Sequence, residues 1–292
     1  MSKTLKIMFT DMWFNDIYKN RFIDKFKNTF NFDIEVDPKN PDFVIYSIFG
    51  NNFLRYPNAK KIFVCWEPIN FNNSIHLKNS DYSLTYYSDL HDDEKNFYFC
   101  PLLGKFGWTD NFIQDINNPM SIKKEKFCCF VVRNTTLGNG AKLRVQFFKE
   151  LCKYKKVDSF GASLRNCDVI IPGRSKGWNK PYLNEIGKYK FMITFENILS
   201  NGVITEKIYN AFKGNTIPIY WGNKDVYKIF NKGSFINCHD FENLKEVIEY
   251  VKKIDNDDEL YNKILNKKKI EGKDKNFYIN EYKNLWKKVL YN

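Results

Sequence analysis

A glutamate and a lysine, Glu206 and Lys207, stand side by side in the first turn of a predicted amphipathic helix. The apolar face of that helix follows from residues at helical spacing: Ile204, Ile208, Ala211 and Phe212. The N–H groups and the dipole at a helix N-terminus attract anions, whereas a lysine there opposes the dipole. A phosphate bound at the helix start would explain the lysine. A solvated Glu-Lys pair on a surface helix is the structural alternative, and the spacing leaves both open.

Another acidic residue, Glu67, follows the apolar run 61–66 and precedes Pro68. Proline interrupts a regular strand, so we expect Glu67 to lie at a strand end. Open α/β sheets bind ligands at the carboxyl ends of their strands, and a carboxylate placed there can act as a general base. Cys65 and Trp66 would contribute part of its desolvation. A glutamate in a surface loop is the structural alternative.

An arginine, Arg144, lies in the first turn of the helix predicted over residues 141–154, among the apolar residues of its inner side. A guanidinium in that position needs hydrogen-bond acceptors. A bidentate contact with a diphosphate would supply them, and so would a buried salt bridge to a carboxylate. Both interpretations are compatible with the sequence.

Short apolar strands alternate with helices along the chain, which predicts an α/β fold with parallel sheets. The predicted strands span 5–10, 33–36, 43–47, 61–66, 81–84, 96–101, 127–132, 156–161, 189–195, 216–220 and 234–238. The predicted helices span 14–30, 141–154, 241–254 and 281–290, besides the helix of Lys207, which Gly214 is expected to end in a left-handed conformation. The irregular stretch 110–126 separates two series of elements. We therefore predict two domains, residues 1–122 and 123–292.

The composition favours a globular protein with reduced cysteines. Hydrophobic residues make up 43% of the 292 residues and aromatic residues 17%, which is enough to build packed cores. The seven cysteines form no CxxC pair, and with three histidines no zinc pattern can be assembled. We expect free thiols in a cytoplasmic protein. No apolar run is long enough for a transmembrane segment.

The formal net charge of +12 favours anionic partners. Lysine runs at 123–124, 153–156, 252–253 and 267–269 predict solvated helix faces and termini, and they leave peripheral membrane association open. Aromatic residues between lysines can stack on nucleobases. Here the aromatic residues fall at core positions of the predicted elements, so we expect no nucleic-acid partner.

The segment from Phe195 to Gly222 combines these features in one pattern: FEN, a short spacer, TEK, the apolar strand IPI and then Trp-Gly. This pattern resembles the donor-binding signature of the α1,3/α1,4-fucosyltransferase family, and the resemblance extends over nearly the whole chain. It implies a GT-B-type α/β fold, with two Rossmann-like parallel-sheet domains facing a cleft. The first domain would bind the acceptor and the second would bind GDP-fucose.

The resemblance also implies an activity, the inverting transfer of L-fucose from GDP-β-L-fucose to an N-acetylglucosamine hydroxyl. The acceptor would be a lactosamine-type glycan, fucosylated in α1,3 linkage as in Lewis antigens and in protein glycosylation. Three alternatives stay open: a GT-B transferase that uses another nucleotide sugar, a non-catalytic glycan-binding protein and a nucleic-acid-binding protein. The N-terminus carries no long apolar run, so the chain is expected to be similar to soluble microbial members of the family.

The resemblance assigns roles to individual residues. Glu67 would be the catalytic base. The donor would be bound by five residues: Asn134, Arg144, Asn197, Glu206 and Lys207. Two of these, Arg144 and Lys207, would neutralise the departing diphosphate in place of a metal, so we expect no cofactor and no essential metal. Candidates for contact with the oligosaccharide acceptor are Trp13, Phe14, Asn70, Phe71 and His91.

Overall fold

The structure, a computed structural model, describes residues 4–12, 23–24, 26–28, 31–65, 67, 74–92, 94–98, 112–171 and 179–291. The chain divides into two compact units, Met1–Asn111 with Lys273–Asn292, and Phe112–Gly272. Each unit contains a parallel sheet. The α/β class predicted from the alternation of strands and helices is therefore confirmed.

Helices alternate with the strands along the chain, and the last three helices follow the last strand. In the described part of the chain they are α1 (Ile75–Lys78), α2 (Phe112–Asn117), α3 (Asn139–Leu151), α4 (Asn179–Ile186), α5 (Glu206–Lys213), α6 (Leu244–Asp255), α7 (Asp258–Leu265) and α8 (Lys275–Tyr291). Residues 23–24 and 26–28 are also helical, and the rest of the helix predicted over 14–30 lies outside the described residues. Across the described ranges, no helix combines the length and the apolar character needed to cross a membrane.

The sheet of the first unit has the strand order β2-β1-β3-β4-β5-β6 within the described residues. Its strands are β1 (Leu5–Thr10), β2 (Ile34–Val36), β3 (Phe43–Tyr46), β4 (Lys60–Cys65), β5 (Tyr82–Thr85) and β6 (Asn96–Tyr98). Every residue of β3 is buried, and so are the last four residues of β4. This continuous burial is typical of central parallel strands that are covered on both faces.

Helix α8 belongs to the first unit, although the sequence analysis assigned it to the second domain. The ring of Trp286 packs edge-on against Phe26 with centroids 4.8 Å apart, and Phe26 in turn packs against Phe9 of β1 at 6.1 Å. The apolar stripe predicted for this helix is real, but its partner is an aromatic cluster formed by residues distant in sequence.

The expected boundary at residue 122 also differs from the observed one, because α2 packs in the second unit, where Lys213 Nζ donates to Asp115 Oδ2 at 2.6 Å.

The sheet of the second unit has the order β11-β10-β9-β7-β8 among the described residues. Its strands are β7 (Lys126–Phe130), β8 (Val157–Ser159), β9 (Tyr189–Ile193), β10 (Ile217–Tyr220) and β11 (Ile236–Asn237). In the sheet, β9 lies between β7 and β10, although β8 separates β7 from β9 along the chain. Loops that follow three strands therefore meet at one edge of this sheet, and that edge carries the predicted FEN and TEK residues.

Helices cover both faces of this second sheet. The core on one face includes residues of α3, α6 and α7, and the core on the other includes residues of α4 and α5. The adjacent residues Cys128 and Cys129 of β7 are both fully buried, and they belong to opposite faces because side chains alternate along a strand. The six described cysteines are free thiols, as expected from the sequence.

Part of the charge of the lysine runs is paired with carboxylates. Within the run 153–156, Lys153 lies 2.6 Å from Glu150, and Lys156 lies 3.0 Å from Asp158. Lys155 also forms an ion pair with a carboxylate, that of Asp255. These lysines lie near the ends of strands and helices, as predicted, but their ammonium groups are paired with carboxylates rather than only solvated.

Candidate functional site

Three loops meet at the C-terminal edge of the second sheet. Glu196 lies in the loop after β9, and its N–H donates to the carbonyl oxygen of Trp221, beyond the end of β10, at 2.8 Å. In the same loop, the carbonyl oxygen of Asn197 accepts hydrogen bonds from the N–H groups of Gly140 and Ala141 at 3.0 and 3.2 Å. These bonds fix the loop after β9 to β10 on one side and to the start of α3 on the other.

Two glycines allow the loop after β9 to pack closely against the start of α3 and the end of β10. A Cβ atom on Gly140 would lie 2.3 Å from the carbonyl oxygen of Glu196 and 2.4 Å from the ring of Trp221. A Cβ atom on Gly222 would lie 2.6 Å from Cγ of Glu196. Only a residue without a side chain fits at either position, so the two glycines are part of the site's architecture.

The carboxylate of Glu196 is the centre of the site, and only 1% of this residue is exposed. Its Oε1 accepts a hydrogen bond from the N–H of Thr205 at 2.8 Å, and its Oε2 accepts one from the Thr205 hydroxyl at 2.7 Å. Lys207 Nζ donates to the same Oε2 at 2.8 Å and to the Thr205 hydroxyl oxygen at 2.8 Å. A buried charge is thus satisfied by three donors from one short segment.

Lys207 lies at the start of α5, as the sequence predicted. The helix begins at Glu206, which is half-buried, and Thr205 is its N-cap. The Thr205 side chain makes no capping hydrogen bond to the helix, because its hydroxyl donates to Glu196. The first turn therefore keeps the anion-attracting character that its position predicts. The solvated Glu-Lys pair considered as the alternative is not observed for Lys207, since its partner is the buried Glu196.

The apolar face predicted for α5 is confirmed, whereas its predicted end is not. Ile208, Ala211 and Phe212 are fully buried, and Ile204 is buried just before the helix begins. Gly214 is the C-cap, but its φ of −77° is an ordinary right-handed value. The left-handed residue is Asn215, with φ of 54°. Asparagine tolerates this conformation better than most residues do, so it can take the role expected of glycine.

Arg144 donates to main-chain carbonyls and forms no salt bridge to a carboxylate among the described residues. It is 1% exposed, its Nη1 donates to the carbonyl oxygen of Phe195 at 3.0 Å, and its Nη2 donates to the carbonyl oxygen of Asn134. Among the described residues its buried Nε has no partner. Burial lowers the pKa of Arg144, and the negative charge of Glu196 opposes that shift. The arginine ties the loops after β7 and β9 together, and its contact with a diphosphate stays a prediction.

The two predicted asparagines lie at this edge and support the loops. The side chain of Asn134 accepts from the N–H groups of Thr136 and Leu137 at 3.1 and 2.9 Å, and it donates to the carbonyl oxygen of Leu137 at 3.0 Å. Asn134 thus folds its own loop, whereas Asn197 caps α3 through its carbonyl oxygen. Donor binding by either side chain stays a prediction.

Glu67 lies in the first unit, two residues beyond the end of the central strand β4, and is half-buried. The Cys65 thiol lies 3.7 Å from the carbonyl oxygen of Glu67, and burial raises the pKa of that thiol to about 12, so Cys65 stays neutral. The position at a strand end agrees with the sequence. Trp66 lies outside the described residues, as do the acceptor candidates Trp13, Phe14, Asn70 and Phe71.

A cavity of about 590 Å³ adjoins the site beyond β10 and β11. Trp221 and His239 line it with their rings, whose centroids lie 5.8 Å apart. Nearby, the Tyr227 hydroxyl donates to Asp240. Cavities of this size commonly hold small molecules. Among the described residues, neither at this cavity nor at any other place do three or more His, Cys, Asp or Glu side chains form a group that could hold a metal ion.

Sequence reasoning missed the central role of Glu196, to which the sequence analysis assigned no function. The signal was present in the sequence, because an acidic residue directly follows the buried strand-end residue Phe195. A charge at such a position requires partners. Thr205, two residues before Lys207, was the other neglected residue.

Comparison with protein families gives two matches that together span most of the chain. The model described as glycosyltransferase family 10 (fucosyltransferase) C-term matches residues 121–285, and the alpha-(1,3)-fucosyltransferase FucT N-terminal domain matches residues 7–104. The first match alone covers more than half of the chain. It includes the loops after β7, β9 and β10.

Among curated proteins, the chain is similar to an alpha-(1,3)-fucosyltransferase FucT of Helicobacter pylori, at 30% identity over 289 residues that cover 86% of this chain and 57% of that protein. It is 36% identical to a putative fucosyltransferase of Acanthamoeba polyphaga mimivirus over 159 residues, which cover 52% of this chain and 26% of that protein. The chain therefore spans little more than half the length of one of these relatives and about a quarter of the other.

Among solved structures, an alpha1,3-fucosyltransferase crystal structure aligns with a TM-score of 0.74 at 23% identity, covering 99% of this chain and 90% of the other. A crystal structure of alpha1,3-fucosyltransferase with GDP-fucose aligns with a TM-score of 0.70 at 24% identity, covering 99% of this chain and 91% of the other. At this identity the likeness concerns the fold. It confirms the expected α/β, GT-B-like class with two parallel sheets.

Proposed function

This chain belongs to glycosyltransferase family 10, the fucosyltransferases, and we propose that it transfers L-fucose from GDP-β-L-fucose to an N-acetylglucosamine hydroxyl of a lactosamine-type glycan. The linkage formed would be α1,3, and the anomeric configuration would invert. A related protein carries the name alpha-(1,3)-fucosyltransferase, which supports this linkage. A solved structure of similar fold is that of an alpha1,3-fucosyltransferase with GDP-fucose, which supports this donor.

The observation that carries the proposal is the position of Lys207. Its ammonium group lies at the N-terminus of α5, on the sheet edge where loops meet, and 20% of its side chain is exposed. Two of its three N–H bonds are directed to Glu196 and Thr205. The third can donate to a phosphate oxygen, and the uncapped first turn of α5 attracts the same group. A nucleoside diphosphate sugar fits this combination of charge and N–H donors.

The reaction needs a base and a group that stabilises the leaving diphosphate. Glu67, at the end of β4, would accept the proton of the acceptor hydroxyl as that oxygen attacks C1 of fucose. The C1–O bond to the diphosphate breaks on the opposite face of the sugar, which inverts the configuration. The negative charge that develops on the departing GDP would be stabilised by Lys207, by the α5 dipole and by Arg144.

Residues of this chain would thus take the place of a metal ion, and we propose that no metal and no cofactor are essential. Asn134, Asn197 and Glu206 would complete the donor site, with Glu206 placed to accept hydrogen bonds from sugar hydroxyls. A cytoplasmic location, supported by the free thiols, and products of the Lewis-antigen type in protein glycosylation belong to the same proposal.

The purified chain should release GDP from GDP-fucose in the presence of N-acetyllactosamine. NMR of the product should show fucose joined to O3 of N-acetylglucosamine in the α configuration. Release of free fucose without transfer, or a product linked at another oxygen, would contradict the proposal as stated. Binding of the glycan without any GDP release would instead support a non-catalytic glycan-binding protein.

A further inference from the structure

The ion pair between Glu196 and Lys207 is asymmetric in its exposure. The Glu196 side chain is 1% exposed and the Lys207 side chain is 20% exposed, with 2.8 Å between Oε2 and Nζ. The carboxylate is therefore hidden behind the ammonium group and cannot itself contact a ligand in the solvent. It can act on a ligand only through the groups that it holds.

Thr205 makes this arrangement more rigid than a simple pair. Its hydroxyl donates to Glu196 Oε2 and accepts from Lys207 Nζ, so the three groups form a closed triangle of hydrogen bonds. Its N–H anchors the other carboxylate oxygen at 2.8 Å. The triangle fixes a long and otherwise flexible lysine side chain, and it directs the remaining N–H bond of the ammonium group away from the buried carboxylate.

We propose that Glu196 is a positioning residue for the donor diphosphate, which it serves by holding Lys207 through the Thr205 hydroxyl. This inference rests on the proposed function, since it takes the diphosphate as the ligand of Lys207. Preorganisation of this kind increases affinity because the side-chain entropy of the lysine is lost during folding rather than during binding.

A double-mutant cycle on GDP binding tests this inference directly. We expect Glu196→Gln to weaken GDP binding about 10-fold, since the lysine loses its anionic partner, and Lys207→Gln to weaken it about 10- to 150-fold. The double variant should bind GDP as Lys207→Gln does, because Glu196 acts only through the lysine. Calorimetric titration of the full chain with GDP measures all four affinities.

Thr205 supplies a second, independent test. Thr205→Ser keeps the hydroxyl and should bind GDP within about 2-fold of the unmodified chain. The nearly isosteric Thr205→Val loses both hydrogen bonds of the hydroxyl, to Glu196 and to Lys207, and should weaken GDP binding at least as much as Glu196→Gln does. A purely structural role would lower the stability of the Val variant without lowering the affinity of its folded fraction. The stoichiometry of the titration reports that fraction.

A matched pair at the other end of β9 provides the control. Lys190 and Asp255 show side-chain exposures of 20% and 3% with 3.1 Å between their charged atoms, much like Lys207 and Glu196. Asp255→Asn should therefore reduce stability but leave GDP affinity unchanged. If it weakens GDP binding as much as Glu196→Gln does, the effect is general destabilisation and the inference is overturned.

The outcomes separate this inference from the proposed function. If the unmodified chain binds no GDP, the proposed function fails and the inference fails with it. If the unmodified chain binds GDP but the losses of Glu196→Gln and Lys207→Gln multiply in the double variant, Glu196 acts independently of the lysine. In that case only the positioning role is overturned.

Discussion

Nη1 of Arg144 donates to the carbonyl oxygen of Phe195 at 3.0 Å, which joins the inner face of α3 to the end of β9. The same guanidinium reaches the carbonyl oxygen of Asn134, in the loop after β7. Main-chain carbonyls thus accept two hydrogen bonds from an arginine for which the sequence suggested a phosphate or a carboxylate. If Arg144 contacts a diphosphate, it does so while it also holds two loops in place.

Replacement of Arg144 should therefore affect stability as well as binding. We expect Arg144→Ala to reduce the free energy of unfolding by about 1–3 kcal/mol, because the buried carbonyl of Phe195 is left unpaired, whereas the part-buried carbonyl of Asn134 can bind water. Arg144→Lys keeps the charge but loses the planar fork, so its loss of stability should be smaller. Chemical denaturation measures both. Unchanged stability in Arg144→Ala would show that the two carbonyl bonds are unimportant.

Replacement of Glu67 should affect turnover alone. Glu67→Gln keeps size and polarity but removes the proposed proton acceptor, and loss of a general base reduces the rate by about 10²–10⁴-fold. The affinity for GDP should not change, because the proposed donor residues lie in the other unit. Parallel measurement of kcat and of GDP binding checks this. A similar loss of GDP affinity in Glu67→Gln and Lys207→Ala would mean that Glu67 is not the base.

Gly140 should tolerate no side chain. In Gly140→Ala the new Cβ would lie 2.3 Å from the Glu196 carbonyl oxygen and 2.4 Å from the Trp221 ring. We expect a loss of about 1–3 kcal/mol in stability, typical of an overpacked site, together with weaker GDP binding as the loop after β9 moves. Lys142→Ala, at an exposed position of the same helix, is the control. Equal behaviour of the two variants would contradict the steric argument.

Activity should be independent of divalent metal ions, since Lys207, the α5 N-terminus and Arg144 would balance the charge of the diphosphate. Turnover of GDP-fucose in excess chelator should equal turnover in buffer that contains magnesium or manganese. Activity that disappears with chelator and returns only when a divalent ion is added would refute this prediction.

The fold was predictable because its signals are local. Fully buried strands such as Phe43–Tyr46 appear in the sequence as uninterrupted apolar runs, and α5 shows its apolar face in the spacing of Ile208, Ala211 and Phe212. The assignment of α8 was wrong because an amphipathic stripe does not specify which core it joins. The partner of Trp286 is Phe26, some 260 residues away in the chain, and only the tertiary structure brings the two together.

The position of Lys207 was predictable from the sequence, but the hydrogen bonds that hold its side chain were not. The sequence singled out Lys207 from its unfavourable place at a helix start, and the structure does place it there. The sequence did not indicate that Glu196 would hold Lys207, because the hydrogen bonds of a buried carboxylate depend on the directions in which the side chains point. The partners of Arg144 could not be predicted either, because any residue has a main-chain carbonyl and the sequence does not indicate which carbonyls lie near the arginine.

We propose that the edge formed by the loops after β7, β9 and β10 binds and activates GDP-fucose, and a donor panel can decide this. The chain and N-acetyllactosamine are combined in separate reactions with GDP-fucose, GDP-mannose, UDP-galactose and UDP-N-acetylglucosamine, and release of the nucleoside diphosphate is measured. We expect rapid release of GDP from GDP-fucose and little release from the other donors. Turnover of a UDP-sugar without turnover of GDP-fucose would show that this edge is not a GDP-fucose site.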